Sequence, residues 1–249
     1  MGGGYLTEAL RLLQLTGNRH QEARIVNALG YTEAMLGDYA AAVEHHAASR
    51  QISREIRQGV QESQALHNLC TVQRKMGNLD LAEEYGQEAL RLALLADNTP
   101  ENICFARLHL GYVWLARGDL EQAALAFQLA REGWQTLAAD SRIQEATIGW
   151  AAARFQQGDV PQAAALLAPY VPGLLERVPY GVDEVCELYL AAYAILTAQG
   201  DARASTLLAT VYTHLQRNAS KITDLRLLRC FWAAPAHDKI RALWRALQA

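Results

Sequence analysis

The chain has 249 residues, of which 51% are hydrophobic and 20% charged, and its formal net charge at pH 7 is −3. This weakly acidic balance argues against a general affinity for nucleic acid or for an anionic membrane. The sequence has no apolar run of ~20 residues and no secretion signal at its start, so we expect a cytoplasmic protein. Its partner should be a protein, a peptide or a small-molecule inducer, bound without direct nucleic-acid or membrane contact.

A glycine followed by Asp or Asn occurs five times, at intervals of 40, 41, 40 and 42 residues. The pairs are Gly37-Asp38, Gly77-Asn78, Gly118-Asp119, Gly158-Asp159 and Gly200-Asp201. Glycine takes the left-handed position that a helix needs where the chain reverses, and Asp or Asn can cap the next helix. A period of this size with two helical patterns per unit indicates an all-α fold, an α-solenoid.

A small residue recurs five positions after each of these glycines, where a larger one would push the second helix away from the first. These residues are Ala42, Ala82, Ala123, Ala163 and Ser205. Residues 1–19 repeat the second-helix pattern, with Ala9 in the small position, which predicts the second helix of a truncated preceding repeat and a fragment of a longer polypeptide. Because that helix has no partner helix, two copies of the chain could also associate through it.

Five helical hairpins are expected after this helix, at about 20–57, 60–96, 100–138, 141–177 and 182–217. Pro169 and Pro172 remove backbone donors from the second helix of the fourth hairpin and predict a break there. Residues 218–249 are expected to form capping helices, because an array of repeats must cover its open end.

The best-matching unit contains Leu110, Gly111, Trp114, Gly118, Ala123, Phe127 and Ala130. These residues resemble the signature of the tetratricopeptide repeat (TPR) family, and the resemblance spans roughly residues 5 to 217. It implies a right-handed α-solenoid of about five TPR-like hairpins. The usual unit of that family has about 34 residues, so the longer period here should lengthen the helices.

The segment from Arg229 to Ile240, with Phe231, Pro235 and His237 between them, resembles the closing segment of bacterial multidomain signalling proteins. Together with the repeat length and the start inside a repeat, it resembles the C-terminal sensor array of STAND-type signalling ATPases, which include maltose-regulator-like transcription activators and immune receptors. The resemblance implies a regulatory module that binds an effector, with the ATPase upstream. A stand-alone scaffold or adaptor is the alternative.

The TPR resemblance also implies a concave binding face on the first helices. Counting back from the turn glycines, that face comprises Arg24, Asn27, Tyr31, Gln64, His67, Thr71, Arg74, Phe105, Leu108, Tyr112, Leu115, Glu145, Ile148 and Phe155. It is polar and basic early and apolar later, which suits a partner with an acidic part and a hydrophobic anchor. The alternative for Tyr31, Leu108 and Tyr112 is that they pack between helices. The alternative for Arg24 and Arg74 is that they are ordinary solvated charges.

Motifs for catalysis are missing from the sequence: it has no G-x-x-x-x-G-K-[ST], no G-x-S-x-G and no H-E-x-x-H. His45 and His46 are adjacent on a helix and should point in different directions, and His67 and His109 have no further metal ligand at suitable spacing. The cysteines Cys70, Cys104, Cys186 and Cys230 show no C-x-x-C pairing and should be reduced. We expect a module without catalysis, cofactor or metal.

Overall fold

A computed structural model describes residues 17–95 and 99–248, together with positions 8, 10–13 and 15. Within this part of the chain the regular structure is helical and contains no strand. Positions 8, 10–13 and 15, within the predicted truncated helix, are helical. Ala9 and the other positions before residue 17 lie outside the described residues. The helices with defined bounds are α1 (Arg19–Met35), α2 (Tyr39–Glu55), α3 (Gly59–Lys75), α4 (Leu79–Ala93), α5 (Pro100–Arg117), α6 (Leu120–Thr136), α7 (Asp140–Gln156), α8 (Val160–Leu167), α9 (Val171–Glu176), α10 (Val185–Ala198), α11 (Arg203–Ala219), α12 (Leu225–Ala233) and α13 (Pro235–Gln248).

The helices reverse at the predicted glycines, all five of which have left-handed backbone angles. Their φ values are 76° at Gly37, 84° at Gly77, 90° at Gly118, 87° at Gly158 and 67° at Gly200. At the first turn the Gly37 N–H donates to the Ala34 carbonyl at 3.1 Å and the Asp38 N–H donates to the Glu33 carbonyl at 2.9 Å. Backbone bonds of this kind close the first helix, and the second begins two residues after the glycine.

Side-chain capping by the following Asp or Asn is less general than the sequence suggested. Of the five residues, Asp159 accepts from the Gln162 N–H at 3.1 Å and Asp201 accepts from the Arg203 N–H at 2.9 Å. No side-chain cap bond is made at the N-caps Asp38, Asn78 and Asp119. Asp or Asn therefore caps the next helix at some turns only, and at the others the glycine and the backbone bonds complete the turn.

The chain divides into two compact units, residues 1–113 and 114–249. In the first unit α1 packs on α2, α2 on α3, and α3 on α4. The predicted small residues Ala42 and Ala82 are fully buried between these helices. Gly86 lies so close to its neighbours that an added Cβ would stand 2.7 Å from Leu110 Cδ2 and 3.2 Å from Cys70 Sγ.

In the second unit α6 packs on α7, and α10 packs against α7, α8, α11 and α13. Ala123 and Ala163 are fully buried, as predicted, but Ser205 is exposed and that expectation is wrong. The last hairpin has one more residue in its turn, because α11 begins three residues after Gly200. In this hairpin Ala204, one residue before Ser205, is buried instead.

The predicted break in the fourth hairpin is present. Its second helix stops at the end of α8 and resumes as α9, with Pro169 between the two and Pro172 in the first turn of α9. At the C-terminal end, Phe231 and Ile240 are buried and Tyr212 stacks on Trp244 with ring centroids 5.2 Å apart. The predicted fold class, an α-solenoid of helical hairpins closed by C-terminal capping helices, is confirmed.

We predict that Gly149→Ala destabilises the protein. Gly149 lies inside α7, and a Cβ there would stand 2.5 Å from Cε1 of the buried Phe127 ring. Because a buried aromatic ring has little room to move, we expect a loss of about 1–3 kcal/mol, measured as a lower urea midpoint by circular dichroism. Gly173→Ala is the control: Gly173 is also helical and nothing lies within 4 Å of its added Cβ. Equal midpoints for Gly149→Ala and wild type would contradict the close approach.

Candidate binding surface on the first helices

Ten of the predicted binding residues lie in the first unit, on α1, α3 and the part of α5 up to residue 113, and they differ widely in exposure. Arg24 and Tyr31 are exposed; Asn27, Gln64, Thr71, Arg74 and Phe105 are half-buried; His67, Leu108 and Tyr112 are buried. Leu108 has no exposed surface and belongs to the core. The residues that a ligand can reach are those in the first two groups.

Three aromatic rings form a stack between α3 and α5. The His67 ring lies 5.2 Å from both Phe105 and His109, and the three rings are within 27° of parallel. Thr71 Oγ1 donates to the His67 carbonyl at 3.2 Å and lies 2.9 Å from His109 Nδ1. Because the hydroxyl proton is used in the first bond, His109 Nδ1 carries the proton of the second. The stack fixes the half-exposed Phe105 in place.

Arg74 and Tyr112 form a second contact between α3 and α5. The Arg74 guanidinium lies 5.3 Å from the centroid of the Tyr112 ring, a distance typical of a cation–π interaction. Tyr112 is only 4% exposed, so the arginine rests on a buried ring. Arg74 is thereby held at the half-buried edge of the surface with its positive charge in a defined position.

Asn27 has a structural role on this face. Its Oδ1 accepts from His46 Nδ1 at 2.7 Å and from Asn68 Nδ2 at 3.2 Å, which joins α1 to α2 and α3. A carboxamide oxygen can only accept, so the proton of neutral His46 lies on Nδ1. Gly30 makes room for this ring, because a Cβ there would stand 2.9 Å from it.

From the sequence, His46 was expected only to point in a different direction from His45, and the contact between Asn27 and Asn68 was not predicted. His67 and His109 were considered together only as metal ligands, and His109 was not placed in the binding face. The available signal was helical spacing, since His109 follows Phe105 by one turn. The Asn27 network left no such signal, because its members come from three helices.

In the second unit, the predicted residues Leu115 and Phe155 are half-buried, and Ile148 is fully buried in the core. Glu145 is fully buried as well. Its carboxylate accepts from the backbone N–H of Glu184 at 2.8 Å and of Asp183 at 3.2 Å, and from Arg142 Nη1 at 3.1 Å. Glu145 thus holds the start of α10, and a ligand does not reach it in this structure.

Burial raises the pKa of Glu145, and the nearby Asp183 acts in the same direction, while Arg142 and the two backbone N–H groups oppose the rise. The pKa of Arg142 is raised: burial would lower it, but the charges of Asp183 and Glu145 outweigh that effect. Arg142 Nη1 also lies 2.9 Å from Asp183 Oδ2. The cluster is a buried ion-pair network that connects α7 to the segment before α10.

Among the described residues, no group of three or more His, Cys, Asp or Glu side chains is placed to hold a metal ion. In the same part of the chain no helix is long and apolar enough to cross a membrane. The four cysteines are free thiols, and three of them are buried. Burial raises the pKa of the Cys104 thiol.

No protein-family model matches the chain, and no curated protein matches it significantly. Solved structures do match. A Rap protein complexed with Competence and Sporulation Factor aligns with a TM-score of 0.63 and 14% identity over 99% of this chain and 69% of its own. The Rap conjugation gene regulator of plasmid pLS20, in complex with the Phr* peptide, aligns with a TM-score of 0.57 and 17% identity over 98% of this chain and 70% of its own. BtubC from P. vanneervenii aligns with a TM-score of 0.61 and 16% identity over 87% of each chain.

The chain has a helical-repeat fold. At these identities the likeness concerns the fold alone, and it agrees with the hairpins described above.

We predict that His46 makes the stability of the protein pH-dependent. Burial, with a smaller contribution from His45, lowers the pKa of His46 from 6.5 to about 4. Because the pKa is lower in the folded state, the neutral ring makes its full contribution to the free energy of unfolding above pH 6.5. This contribution is lost as the pH falls through 4. The loss should reach about 3 kcal/mol at full protonation.

The test is the urea midpoint of wild type and His46→Gln between pH 7 and pH 4. Glutamine can still donate to Asn27 but does not titrate, so the variant should lose less stability over this range than wild type. His45→Gln is the control and should keep most of the wild-type pH dependence, because burial is the larger cause of the shift. Parallel curves for wild type and His46→Gln would contradict the assignment.

Proposed function

We propose that this chain is a non-catalytic interaction module that binds a peptide, or an extended segment of a protein, on the first helices of its first unit. The accessible residues of that face form the first-helix surface, which we define as Arg24, Tyr31, Gln64, Thr71, Arg74 and Phe105. The observation on which the proposal rests is that cationic and aromatic groups stay accessible there on a backing of buried side chains. A small-molecule effector is the other class of ligand that such a surface could take.

The charges of the first-helix surface favour an acidic partner. Arg24 is exposed, and in the described part of the chain its guanidinium makes one hydrogen bond, to Gln21 Oε1 at a long 3.5 Å. Arg74 is held against Tyr112, so its charge needs no further ordering when a carboxylate approaches. Pre-ordered arginines lose less side-chain entropy on binding than mobile lysines would.

Apolar groups of α1 supply an anchor. Tyr31 is 44% exposed and Met35 is 46% exposed, and they lie one helical turn apart on the same face. Aromatic residues and methionine are enriched in the buried centres of protein interfaces. The partner we propose therefore has Asp or Glu near one end and an aromatic or aliphatic side chain as anchor.

The fold likeness supports a peptide ligand. Two of the matching Rap structures are complexes, one with Competence and Sporulation Factor and one with the Phr* peptide. Those ligands belong to those proteins. For the present chain they favour a peptide over other ligand classes.

We predict that selection from a random peptide display library will enrich acidic peptides with an aromatic or aliphatic anchor. For a selected peptide, Arg24→Glu and Tyr31→Ala should each weaken binding at least about ten-fold, because they remove a charge partner and an anchor contact. Fluorescence anisotropy with the labelled peptide measures the change.

Arg229→Glu is the matched control, since it makes the same charge change at an exposed position of α12, outside the first-helix surface. It should leave the affinity within about two-fold. If both α1 variants bind like wild type, or if Arg229→Glu weakens binding as strongly as Arg24→Glu, the first-helix surface is not the peptide site.

We further propose that the module is the C-terminal regulatory part of a bacterial signal-transducing STAND NTPase, either a transcription regulator or an immune receptor, located in the cytoplasm. The repeat length and the segment from Arg229 to Ile240 support this context. In that segment Phe231 and Ile240 are buried, and His237 Nδ1 donates to the Phe231 carbonyl at 2.7 Å. A gene that encodes G-x-x-x-x-G-K upstream of these repeats is the expected finding, and ATP hydrolysis by this chain alone would refute the assignment.

A stand-alone scaffold or adaptor is the second candidate. BtubC aligns over 87% of its own length and 87% of this chain, so an array of comparable length occurs as a solved chain. A gene that contains the repeats without any NTPase motif would favour the scaffold.

A further inference from the structure

A cleft of about 740 Å³ lies in the second unit, between residues 176–180 and one face of α11. One wall is the end of α9 with the loop after it and the other is α11, whereas the proposed peptide site lies on first helices of the first unit. The cleft therefore needs an explanation of its own.

The first wall is a strap, residues 177–184, that is fixed at both ends by buried side chains. At its start, the Tyr189 hydroxyl donates to the carbonyls of Leu174 at 2.8 Å and Arg177 at 3.2 Å. At its end, the buried Glu145 accepts the backbone N–H groups of Asp183 and Glu184. The backbone of the strap is therefore already held in place without a ligand, and little conformational entropy is lost when a ligand binds.

The strap holds one aromatic side chain in solvent. Tyr180 is 99% exposed, and it lines the cleft together with Pro179. The next residue, Gly181, has φ of 78°, and a Cβ there would stand 3.0 Å from Ser141 Oγ. A proline before Tyr180 and a left-handed glycine after it restrict the backbone, so Tyr180 stays at the edge of the cleft.

The opposite wall is a polar face of α11 with small side chains. Thr206, Thr210 and Thr213 follow one another at helical spacing and leave the space between the walls open. Thr210 Oγ1 lies 3.1 Å from the Leu175 carbonyl, in α9, and 3.1 Å from the Thr206 carbonyl, so its one proton is shared between the two. His214 Nε2 accepts from Asn218 Nδ2 at 2.9 Å, which leaves the Nδ1–H of the neutral ring as a donor.

Glu176, at the end of α9, and two arginines line the cleft. Arg177 lies on the strap and Arg217 on α11, one on each wall, and both arginines are exposed. Neither makes an ion pair with a carboxylate in the part of the chain that the structure describes. With two arginines and one glutamate, the lining has one more positive than negative charge, which favours an anionic ligand.

We propose that this cleft binds an organic anion that consists of a carboxylate on a flat apolar body. The carboxylate lies between Arg177 and Arg217, which can donate to it in the paired geometry that guanidinium groups favour. The apolar body packs on Tyr180 and on the aliphatic surface of Val178 and Pro179. A free aromatic acid and the C-terminal residue of a peptide both have this chemistry.

The test is calorimetric titration of the complete chain with N-acetyl-L-phenylalanine, its neutral amide, and phenylacetate. The two acids should bind, and the amide should bind at least about ten-fold more weakly than its acid, because it lacks the charge that the arginines recognise. Tighter binding of N-acetyl-L-phenylalanine than of phenylacetate assigns a peptide C-terminus as the source, and the reverse order assigns a free aromatic acid.

Two variants place the ligand in the cleft. Arg177→Gln combined with Arg217→Gln should weaken binding of the preferred acid at least about ten-fold, and Thr213→Trp should do the same by filling the space. The control, Arg229→Gln combined with Arg245→Gln, removes the same charge from exposed positions of α12 and α13 and should stay within about two-fold of wild type.

Three results would overturn the proposal: binding of neither acid, equal affinity for acid and amide, or equal weakening by the control pair and the cleft pair. The circular dichroism spectrum of each variant at the titration temperature verifies that it is folded. All the substituted side chains are exposed, so folding is expected to persist.

Discussion

The structure depends on the reversal of each hairpin at a left-handed glycine, followed by close approach of the two helices. Such a turn leaves almost no loop, so the second helix must run directly back along the first. The helices can then approach only where one of them has a small residue, as Ala42, Ala82, Ala123 and Ala163 do. The same closeness recurs between hairpins: Gly149 of the fourth hairpin lies against the Phe127 ring of the third, and even a methyl group there would overlap the ring. Tight turns and small residues together set the spacing on which the other contacts are built.

Buried polar groups then connect one hairpin to the next. Asn27 joins α1, α2 and α3 through His46 and Asn68, and Glu145 joins α7 to the start of α10. Removing such groups from water is costly unless their hydrogen bonds are satisfied, and both residues accept several. Burial also disfavours the charged form of each titratable group, so it lowers the pKa of His46 and raises that of Glu145. These groups specify which surfaces meet, whereas apolar packing alone would tolerate sliding.

The same buried contacts prepare the two proposed binding surfaces. The stack of His67, Phe105 and His109 holds an aromatic edge on the first-helix surface, and Tyr112 positions Arg74. In the second unit, Tyr189 and Glu145 hold the strap that displays Tyr180. Each proposed site therefore consists of accessible cationic and aromatic groups that rest on buried side chains. The first lies on first helices, and the second lies between the strap and α11.

The sequence by itself determined the helical hairpins, their turns and the break at Pro169, because glycine and proline act through local backbone geometry that the spacing reveals directly. It also indicated the basic and aromatic character of the first helices. Only the tertiary structure decided which of those residues are accessible: Leu108, Ile148 and Glu145 are buried, while Tyr31 and Arg24 remain exposed. It alone brought Asn27 to His46 and the strap to α11, since these contacts join residues from different helices. Helical periodicity gives the direction of a side chain on its own helix, but what lies opposite depends on how the helices pack.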